Sequence, residues 1–104
     1  MDQFDVYIVD LDPAIGSEMK KIRPAVIVSP NAMNRNLSSV IIAPLTHTIK
    51  RYPSRVPSLF KGEAGQVALD QMRTLDKVRL KQKLGRVDGS TAANIKAILA
   101  TMFS

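Results

Sequence analysis

The feature that most constrains the fold of this chain is a series of short, largely apolar runs separated by turn-forming residues. Runs of this kind, bounded by proline, glycine or asparagine, predict β-strands. We predict strands over Phe4 to Leu11, Ala25 to Ser29, Val40 to Pro44, Arg55 to Leu59 and Gln66 to Leu69, with weaker extended segments over Arg73 to Arg79 and Leu84 to Val87.

Two of these strands carry information about their place in the sheet. The first is apolar on both faces, which predicts a central or covered strand. The fourth is broken by Pro57, which donates no backbone hydrogen bond and therefore belongs at a sheet edge. Polar residues Pro30 to Asn36 predict a turn or a short helical turn, and Lys61 to Gly65 predict another turn.

One helix is predicted, at the end of the chain. Asp88 or Ser90 can cap it. Its apolar residues share one helical face, which indicates a core or dimer contact: Ile95, Ile98, Leu99 and Met102. With 104 residues, the chain fits one domain, residues 1–104. Many short strands and one terminal helix predict a small α+β domain with a strongly bent antiparallel sheet.

The charge balance favours a polyanionic partner. The chain has 15 basic and 9 acidic residues, a formal charge of +6 and a pI near 10.0. This favours nucleic acid or an acidic protein, although a charge of this size also suits ordinary solubility. Without cysteine there is no disulfide, thiol nucleophile or thiolate metal site. No run has bilayer-spanning length and no signal peptide precedes Asp2, so we expect a cytoplasmic protein.

Two polar segments are candidates for chemistry. Glu18 and Arg23 flank a charged loop before the second strand, and Pro24 biases Arg23 to an extended backbone at the strand mouth. A carboxylate and a cation on a loop suit phosphate chemistry, yet these residues alone favour a solvated ion pair. The second segment holds Lys50, Arg51 and Arg55 with Tyr52 between them, a cluster that could hold phosphates and stack a base or form a solvated basic loop.

The order of several motifs resolves this ambiguity. They are D-L-D-P-x-x-G-S-E at Asp10 to Glu18, R-P-A-V-I-V-S-P at Arg23 to Pro30, N-x-M-N-R at Asn31 to Arg35, A-P-L-T at Ala43 to Thr46, G-x-V-A-L-D-Q at Gly65 to Gln71 and R-T-L-D at Arg73 to Asp76. Together they span nearly the whole chain, which resembles the MazF/PemK family of toxin endoribonucleases from bacterial toxin–antitoxin pairs.

The resemblance implies a fold, an activity and partners. The fold is an SH3-like, CcdB/PemK-type antiparallel β-barrel with a C-terminal helix, usually a homodimer. The activity is sequence-specific, metal-independent cleavage of single-stranded RNA, in which the 2′-hydroxyl attacks the adjacent phosphate and no cofactor takes part. The other partner is a cognate antitoxin with an acidic, disordered C-terminal tail.

The resemblance also assigns catalytic roles, to Glu18, Arg23 and Thr46. Arg23 is expected to contact the scissile phosphate; whether it also supplies the leaving-group proton stays open, because arginine barely deprotonates. Thr46 offers a hydroxyl to a phosphate oxygen. Without the resemblance, the residue would instead predict a turn hydroxyl bonded to its own backbone. Glu18 is the candidate base, with orientation of Arg23 or substrate binding as alternatives.

This chain departs from the PemK branch of the family at two positions. The PemK branch has a histidine where Ser17 stands and an arginine where Ala68 stands, but this chain keeps only its aspartate, Asp70. We expect Asp70 to be structural slightly more than catalytic, with its carboxylate bonded to backbone amides. His47, the only histidine, is an alternative base or an RNA contact. The candidate RNA-binding residues are Ser17, Lys20, Lys21, Asn34, Arg35, His47, Lys50, Arg51, Gln66 and Asp70.

Two other functions stay open. A CcdB-like toxin that poisons DNA gyrase would use the same barrel, but that class relies on a C-terminal end containing tryptophan, which this chain lacks. A non-catalytic RNA-binding barrel is the other, and retention of Glu18, Arg23 and Thr46 argues against it. No cluster of histidine and carboxylates has metal-ligand spacing.

Overall fold

The computed structural model describes residues 1–11 and 22–104. The strands are β1 (Asp5–Asp10), β2 (Ile22–Ile27), β3 (Ser39–Thr46), β4 (Arg55–Phe60), β5 (Glu63–Ala68), β6 (Arg73–Asp76) and β7 (Leu80–Arg86). The helices are α1 (Asn31–Asn36) and α2 (Gly89–Met102), with single 3₁₀ turns at Leu69–Gln71 and Lys77–Arg79.

Antiparallel pairing joins all the strands into a curled half-barrel in the order β4-β5-β3-β2-β1-β7. The long strand β3 organises it: residues 39–42 pair with β6, while Leu45 and Thr46 pair with β5. β1 lies between β2 and β7, and β4 is the last strand of the path. The predicted bent antiparallel sheet with a C-terminal helix is therefore confirmed, as is the edge position of the strand that contains Pro57.

The apolar residues form two buried clusters because successive strand residues point to opposite faces of the sheet. In β2, Val26 belongs to one cluster and its neighbours Ala25 and Ile27 belong to the other. The first cluster includes Ile95 of α2, which is fully buried. Both faces of the central strands are thus covered, as the unbroken apolar character of β1 predicts.

Helix α2 begins where the capping pattern indicates. The Asp88 carboxylate accepts a hydrogen bond of 2.8 Å from the backbone amide of Thr91, so Asp88 is the cap and Ser90 lies inside the first turn. The predicted apolar stripe is buried at Ile95 but 37% exposed at Met102. Within the two described stretches, the helices are all too short or too polar to cross a bilayer.

Several boundaries differ from the prediction. Thr46, which lies beyond the predicted strand Val40 to Pro44, is the last residue of β3. The turn expected over Lys61 to Gly65 is tighter, since only Lys61 and Gly62 take positive φ before β5 begins at Glu63. The weak segments become β6, a 3₁₀ turn and a longer β7. Local propensity leaves strand ends undefined, and pairing with neighbouring strands sets them here.

Candidate functional site

A pocket of about 400 Å³ opens where the start of β2, the end of β3 and the β4–β5 hairpin meet. Its wall combines a cation, hydroxyls and a carboxylate with apolar side chains, a combination suited to an anionic ligand that carries flat rings. The lining residues are Ile22, Arg23, Pro24, Leu45, Thr46, His47, Thr48, Ser58, Phe60, Glu63 and Gly65.

Arg23 enters the pocket from β2. The residue is half-buried, and its Nη2 donates a 2.6 Å hydrogen bond to the carbonyl oxygen of Leu45 on β3. This bond fixes the orientation of a long, flexible side chain. Burial lowers the pKa of the Arg23 guanidinium below its ordinary value, because a charged group loses solvation there. A partly desolvated cation attracts a phosphate more strongly than one in open water.

Thr46 ends β3 inside the same pocket. Its hydroxyl oxygen accepts a 3.1 Å hydrogen bond from the backbone amide of Thr48. This local turn contact is the one that the residue by itself predicts. A hydroxyl that accepts one hydrogen bond keeps its own proton for donation, so the contact orients Thr46 without removing its capacity to bind a phosphate oxygen. The structure thus brings together two of the three predicted catalytic residues.

His47 lies at the pocket rim in contact with the β4–β5 hairpin. Its Nδ1 is 3.2 Å from the carbonyl oxygen of Ala64, and its Nε2 is 3.2 Å from a carboxylate oxygen of Glu63. Both partners are acceptors, so a ring nitrogen that carries a proton can donate to the acceptor beside it. The side chains of His47 and Glu63 are both about 70% exposed, so solvent weakens the contact between them.

Residues 47–54 form the loop that connects β3 with β4, hereafter the rim loop. Lys50, Arg51 and Tyr52 of this loop are exposed, as the sequence predicts for a polyanion-binding surface. Arg55, the third cation of the predicted basic cluster, is instead buried beneath this loop, where it contacts Asp70. The guanidinium Nε of Arg55 donates a 2.8 Å hydrogen bond to Asp70 Oδ1.

The Asp70 carboxylate is bonded within the protein, as a structural role predicts, but its partners are side chains. It is bonded to the guanidinium of Arg55 and to the hydroxyl of Ser54, rather than chiefly to backbone amides. Arg55 lies opposite Ala68 in the β4–β5 register. An arginine from the neighbouring strand therefore pairs with Asp70, although position 68 itself has none.

Two predicted RNA contacts are buried instead. Gln66 is 8% exposed, and both ends of its side-chain amide bond within the protein, to Lys50 and Arg55. Asn34 is 3% exposed, and its amide bonds to Ser29. Their amide groups are bonded inside the fold, which favours structural support over RNA contact for both residues.

The remaining predicted residues lie elsewhere. Arg35 is exposed on α1, beside Asn34. Ser29, which binds Asn34, also accepts a hydrogen bond from the amide of Ile41, a residue five positions before Thr46 in β3. Ile41 lies near the start of β3 and Thr46 at its end, so α1 contacts β3 toward the end opposite Thr46. Four further candidates lie outside the described residues: Ser17, Glu18, Lys20 and Lys21.

The structure adds pocket residues that the sequence analysis did not identify. Ser58, Glu63 and Gly65 reach the pocket because the β4–β5 hairpin pairs with the end of β3. Only the strand register could reveal them, since no local motif surrounds Ser58 or Glu63. Gly65 stood inside a recognised motif, but its contact with Thr46 depends on tertiary packing. Across the described stretches, His, Asp and Glu side chains form no group of three or more suited to a metal ion.

Comparison with known proteins connects this pocket to a family. The family model described as "PemK-like, MazF-like toxin of type II toxin-antitoxin system" matches residues 2–103. An endoribonuclease MazF of Staphylococcus saprophyticus is 39% identical over 92 residues, covering 81% of this chain and 75% of that protein.

Solved structures agree with this result. MazF from Deinococcus radiodurans superposes with a TM-score of 0.82 at 27% identity, over 99% of this chain and 96% of that one. A mycobacterial endoribonuclease in complex with its cognate antitoxin gives a TM-score of 0.83 at 33% identity, over 99% and 94% of the two chains. The expected SH3-like, CcdB/PemK-type barrel with a C-terminal helix is thereby confirmed, and the chain belongs to the PemK-like, MazF-like toxin family of type II toxin–antitoxin systems.

Proposed function

We propose that this protein is the toxin of a toxin–antitoxin pair and an endoribonuclease that cleaves single-stranded RNA at the pocket of Arg23 and Thr46. The observation that carries the proposal is the convergence of these two side chains, from β2 and β3, in one pocket of a chain from a toxin family. Relatives in that family are named endoribonucleases. The proposed reaction is attack of a ribose 2′-hydroxyl on the adjacent phosphate.

Arg23 would stabilise the charge that develops on the phosphate. The attack produces a pentacoordinate phosphorane with more negative charge than the ground state, and a preorganised cation stabilises that charge selectively. The hydrogen bond from Arg23 to the Leu45 carbonyl holds the guanidinium in place before substrate arrives. Burial lowers the pKa of Arg23, yet a guanidinium remains protonated in proteins, so we assign it charge stabilisation.

Thr46 would donate its hydroxyl proton to a non-bridging phosphate oxygen. Its oxygen is already oriented by the amide of Thr48, so little freedom is lost on binding. The reaction also needs a group that takes the 2′-hydroxyl proton. Glu18 remains our candidate base and lies outside the described residues, and His47 at the rim is the alternative.

The rim loop would bind RNA on either side of the cut. Lys50 and Arg51 supply exposed cations for phosphates, and Tyr52 supplies a half-exposed ring on which a base can stack. Single-stranded RNA suits such a site because its bases can be unstacked and turned outwards. Electrostatic attraction of this kind weakens as salt rises.

Other functions fit less well. A gyrase poison of the CcdB type would need no pocket that pairs an arginine with a threonine hydroxyl, and these 104 residues contain no tryptophan. A non-catalytic RNA-binding barrel would not need a partly buried Arg23 beside an oriented Thr46. Both features favour the nuclease.

We further propose a homodimer that works in the cytoplasm and is neutralised by an antitoxin. Structures of relatives in complex with their antitoxins support such a partner. Its acidic, disordered C-terminal tail would be attracted to the basic rim loop and would fold on binding. Tail and RNA would then compete for one surface.

The test is incubation of the purified protein with a long, defined RNA in EDTA, followed by mapping of the cut ends. We expect cuts at a short recurring sequence, with a 2′,3′-cyclic phosphate and a 5′-hydroxyl as the new ends. An RNA with deoxyribose at the cut position should bind and resist cleavage. Cleavage of that strand would mean a water nucleophile, and an intact RNA under all conditions would refute the proposed function.

A further inference from the structure

Three side chains beneath the rim loop form a connected group that the nuclease mechanism does not use: Arg55, Gln66 and Asp70. Arg55 donates from Nε to Asp70 at 2.8 Å and from Nη1 to Gln66 at 3.2 Å. The side chain of Arg55 is only 4% exposed. Burying a cation this deeply costs free energy unless its donors meet acceptors. The contacts of Arg55 therefore stabilise its buried charge.

Arg55 and Asp70 contact the rim loop at three of its residues, and Gln66 contacts it at a fourth, Lys50. Arg55 Nη1 donates 3.1 Å to the carbonyl of Thr48, and the Arg55 guanidinium lies 5.4 Å from the ring centre of Tyr52. The Asp70 carboxylate accepts a 3.2 Å hydrogen bond from the hydroxyl of Ser54. The loop is thus held from one side by a single pair of charges.

Gln66 holds the loop at its centre. Its Oε1 accepts a 3.1 Å hydrogen bond from the backbone amide of Lys50, and its Nε2 donates a 3.1 Å hydrogen bond to the Lys50 carbonyl. A side-chain amide here imitates the pair of hydrogen bonds that a neighbouring strand would make. Lys50 therefore has a defined backbone position although it lies in a loop without regular structure.

We infer that Arg55, Gln66 and Asp70 are positioning residues, a loop clamp that holds Lys50, Arg51 and Tyr52 where they meet RNA. The inference rests on the proposed function, because it presumes that the rim loop binds RNA. The clamp residues touch no substrate themselves. They restrict the loop before RNA binds. Less conformational entropy is then lost on binding, which preserves affinity.

The pairing across β4 and β5 makes this arrangement possible. Arg55 faces Ala68 in the register, and the small side chain of Ala68 is fully buried. The guanidinium extends instead to Asp70, just beyond the end of β5.

Partial burial opposes ionisation of Asp70, but hydrogen bonds and charge from Arg55, with a further bond from Ser54, outweigh it and keep the pKa of Asp70 below its ordinary value. The Asp70 carboxylate therefore stays ionised at neutral pH.

The decisive variant is Gln66→Leu, which removes both bonds to Lys50 while changing neither charge nor, to a first approximation, volume. We expect the folded protein to show amide hydrogen exchange at least tenfold faster at residues 48–54, with β1–β3 unchanged. Affinity for a non-cleavable RNA should fall about tenfold. Each phosphate contact contributes about 0.7 to the slope of log affinity against log salt, so that slope should decrease by up to about 1.4 as two cations are displaced.

Arg55→Met tests the other half of the clamp, and Arg86→Met is its matched control. Arg86 also donates to a buried carboxylate, that of Asp5, and it has the same charge. Its other contact, with the Gln3 carbonyl, lies away from the rim loop. We expect Arg55→Met to raise KM for RNA more than tenfold with a smaller change in kcat, and Arg86→Met to affect stability alone.

The outcomes separate the inference from the proposed function. Unchanged exchange at residues 48–54 in Gln66→Leu, or an RNA affinity and salt slope equal to those of the wild type, would overturn the clamp. If the wild type neither binds nor cleaves RNA, the proposed function fails, and with it any role of the clamp in RNA binding. Hydrogen exchange would then still report whether these residues order the loop.

Discussion

Gly65 of β5 lies against the carbonyl of Thr46 so closely that a Cβ atom at position 65 would be 2.6 Å from the Thr46 oxygen. Real side chains do not approach a backbone oxygen so closely, and neither backbone is free to yield inside a paired sheet. The wall of the pocket at Thr46 therefore depends on a residue without a side chain.

Gly65→Ala should distort the end of β3. We expect a loss of stability of about 1–3 kcal/mol, as for other insertions of a methyl group into packed structure, and a fall in RNA cleavage larger than that loss alone would cause. Urea unfolding and initial cleavage rates measure the two effects. Gly89→Ala is the control, because a Cβ at that position in α2 meets nothing within 4 Å; equal behaviour of the two variants would contradict the assigned role.

Removal of the Arg23 side chain should strongly slow RNA cleavage without unfolding the protein. Loss of one charge-stabilising contact to the phosphorane costs roughly 3–4 kcal/mol, on the order of a hundredfold or more in rate. Thr46→Ala should have a smaller effect, since a neutral hydroxyl stabilises charge less than a guanidinium. Single-turnover cleavage measures both, with circular dichroism to verify the fold. Cleavage by Arg23→Ala near the wild-type rate would remove Arg23 from the active site.

RNA and the antitoxin should compete for the rim loop. Neutralising Lys50 and Arg51 together should weaken both ligands in parallel, mostly through slower association, because exposed charges act chiefly on encounter. The measurement is a titration of labelled, non-cleavable RNA with purified antitoxin at several salt concentrations, in which both affinities should fall as salt rises. Simultaneous binding of both ligands, with no loss of RNA affinity, would require inhibition at another surface.

The pair of Arg55 and Asp70 should make stability depend on pH in acid. The pKa of Asp70 is lower in the folded protein than the unfolded value of about 3.9, although burial opposes this, because Arg55 and Ser54 favour its charged form. Such a group contributes stability that is fully present above the unfolded pKa and is lost as the pH falls through the folded pKa.

Comparison of the wild type with Asp70→Asn isolates this contribution. Urea unfolding between pH 7 and pH 3 should show a constant difference in unfolding free energy above about pH 5 and a shrinking difference below about pH 4. A difference that stays constant down to pH 3 would mean that the pKa of Asp70 is not lowered by folding.

The sequence by itself determined the type of fold and the family. Alternating and continuous apolar runs define strands because backbone geometry gives each strand two faces. Pro57 predicted an edge for equally local reasons, and the sequence offered Asp88 or Ser90 as the helix cap, of which the structure has Asp88. The ordered motifs around Arg23 and Thr46 indicated a shared site, and the structure places both residues in one pocket.

Only the tertiary structure decided which polar residues are exposed and which are bonded inside the fold. Asn34 and Gln66 lie in polar stretches that suggest exposure, yet both are buried and bonded internally. The pairing of Arg55 with Asp70, 15 positions apart, follows from the β4–β5 register. Such partners meet through strand pairing and burial, and these are long-range relations that the local pattern of residues does not encode.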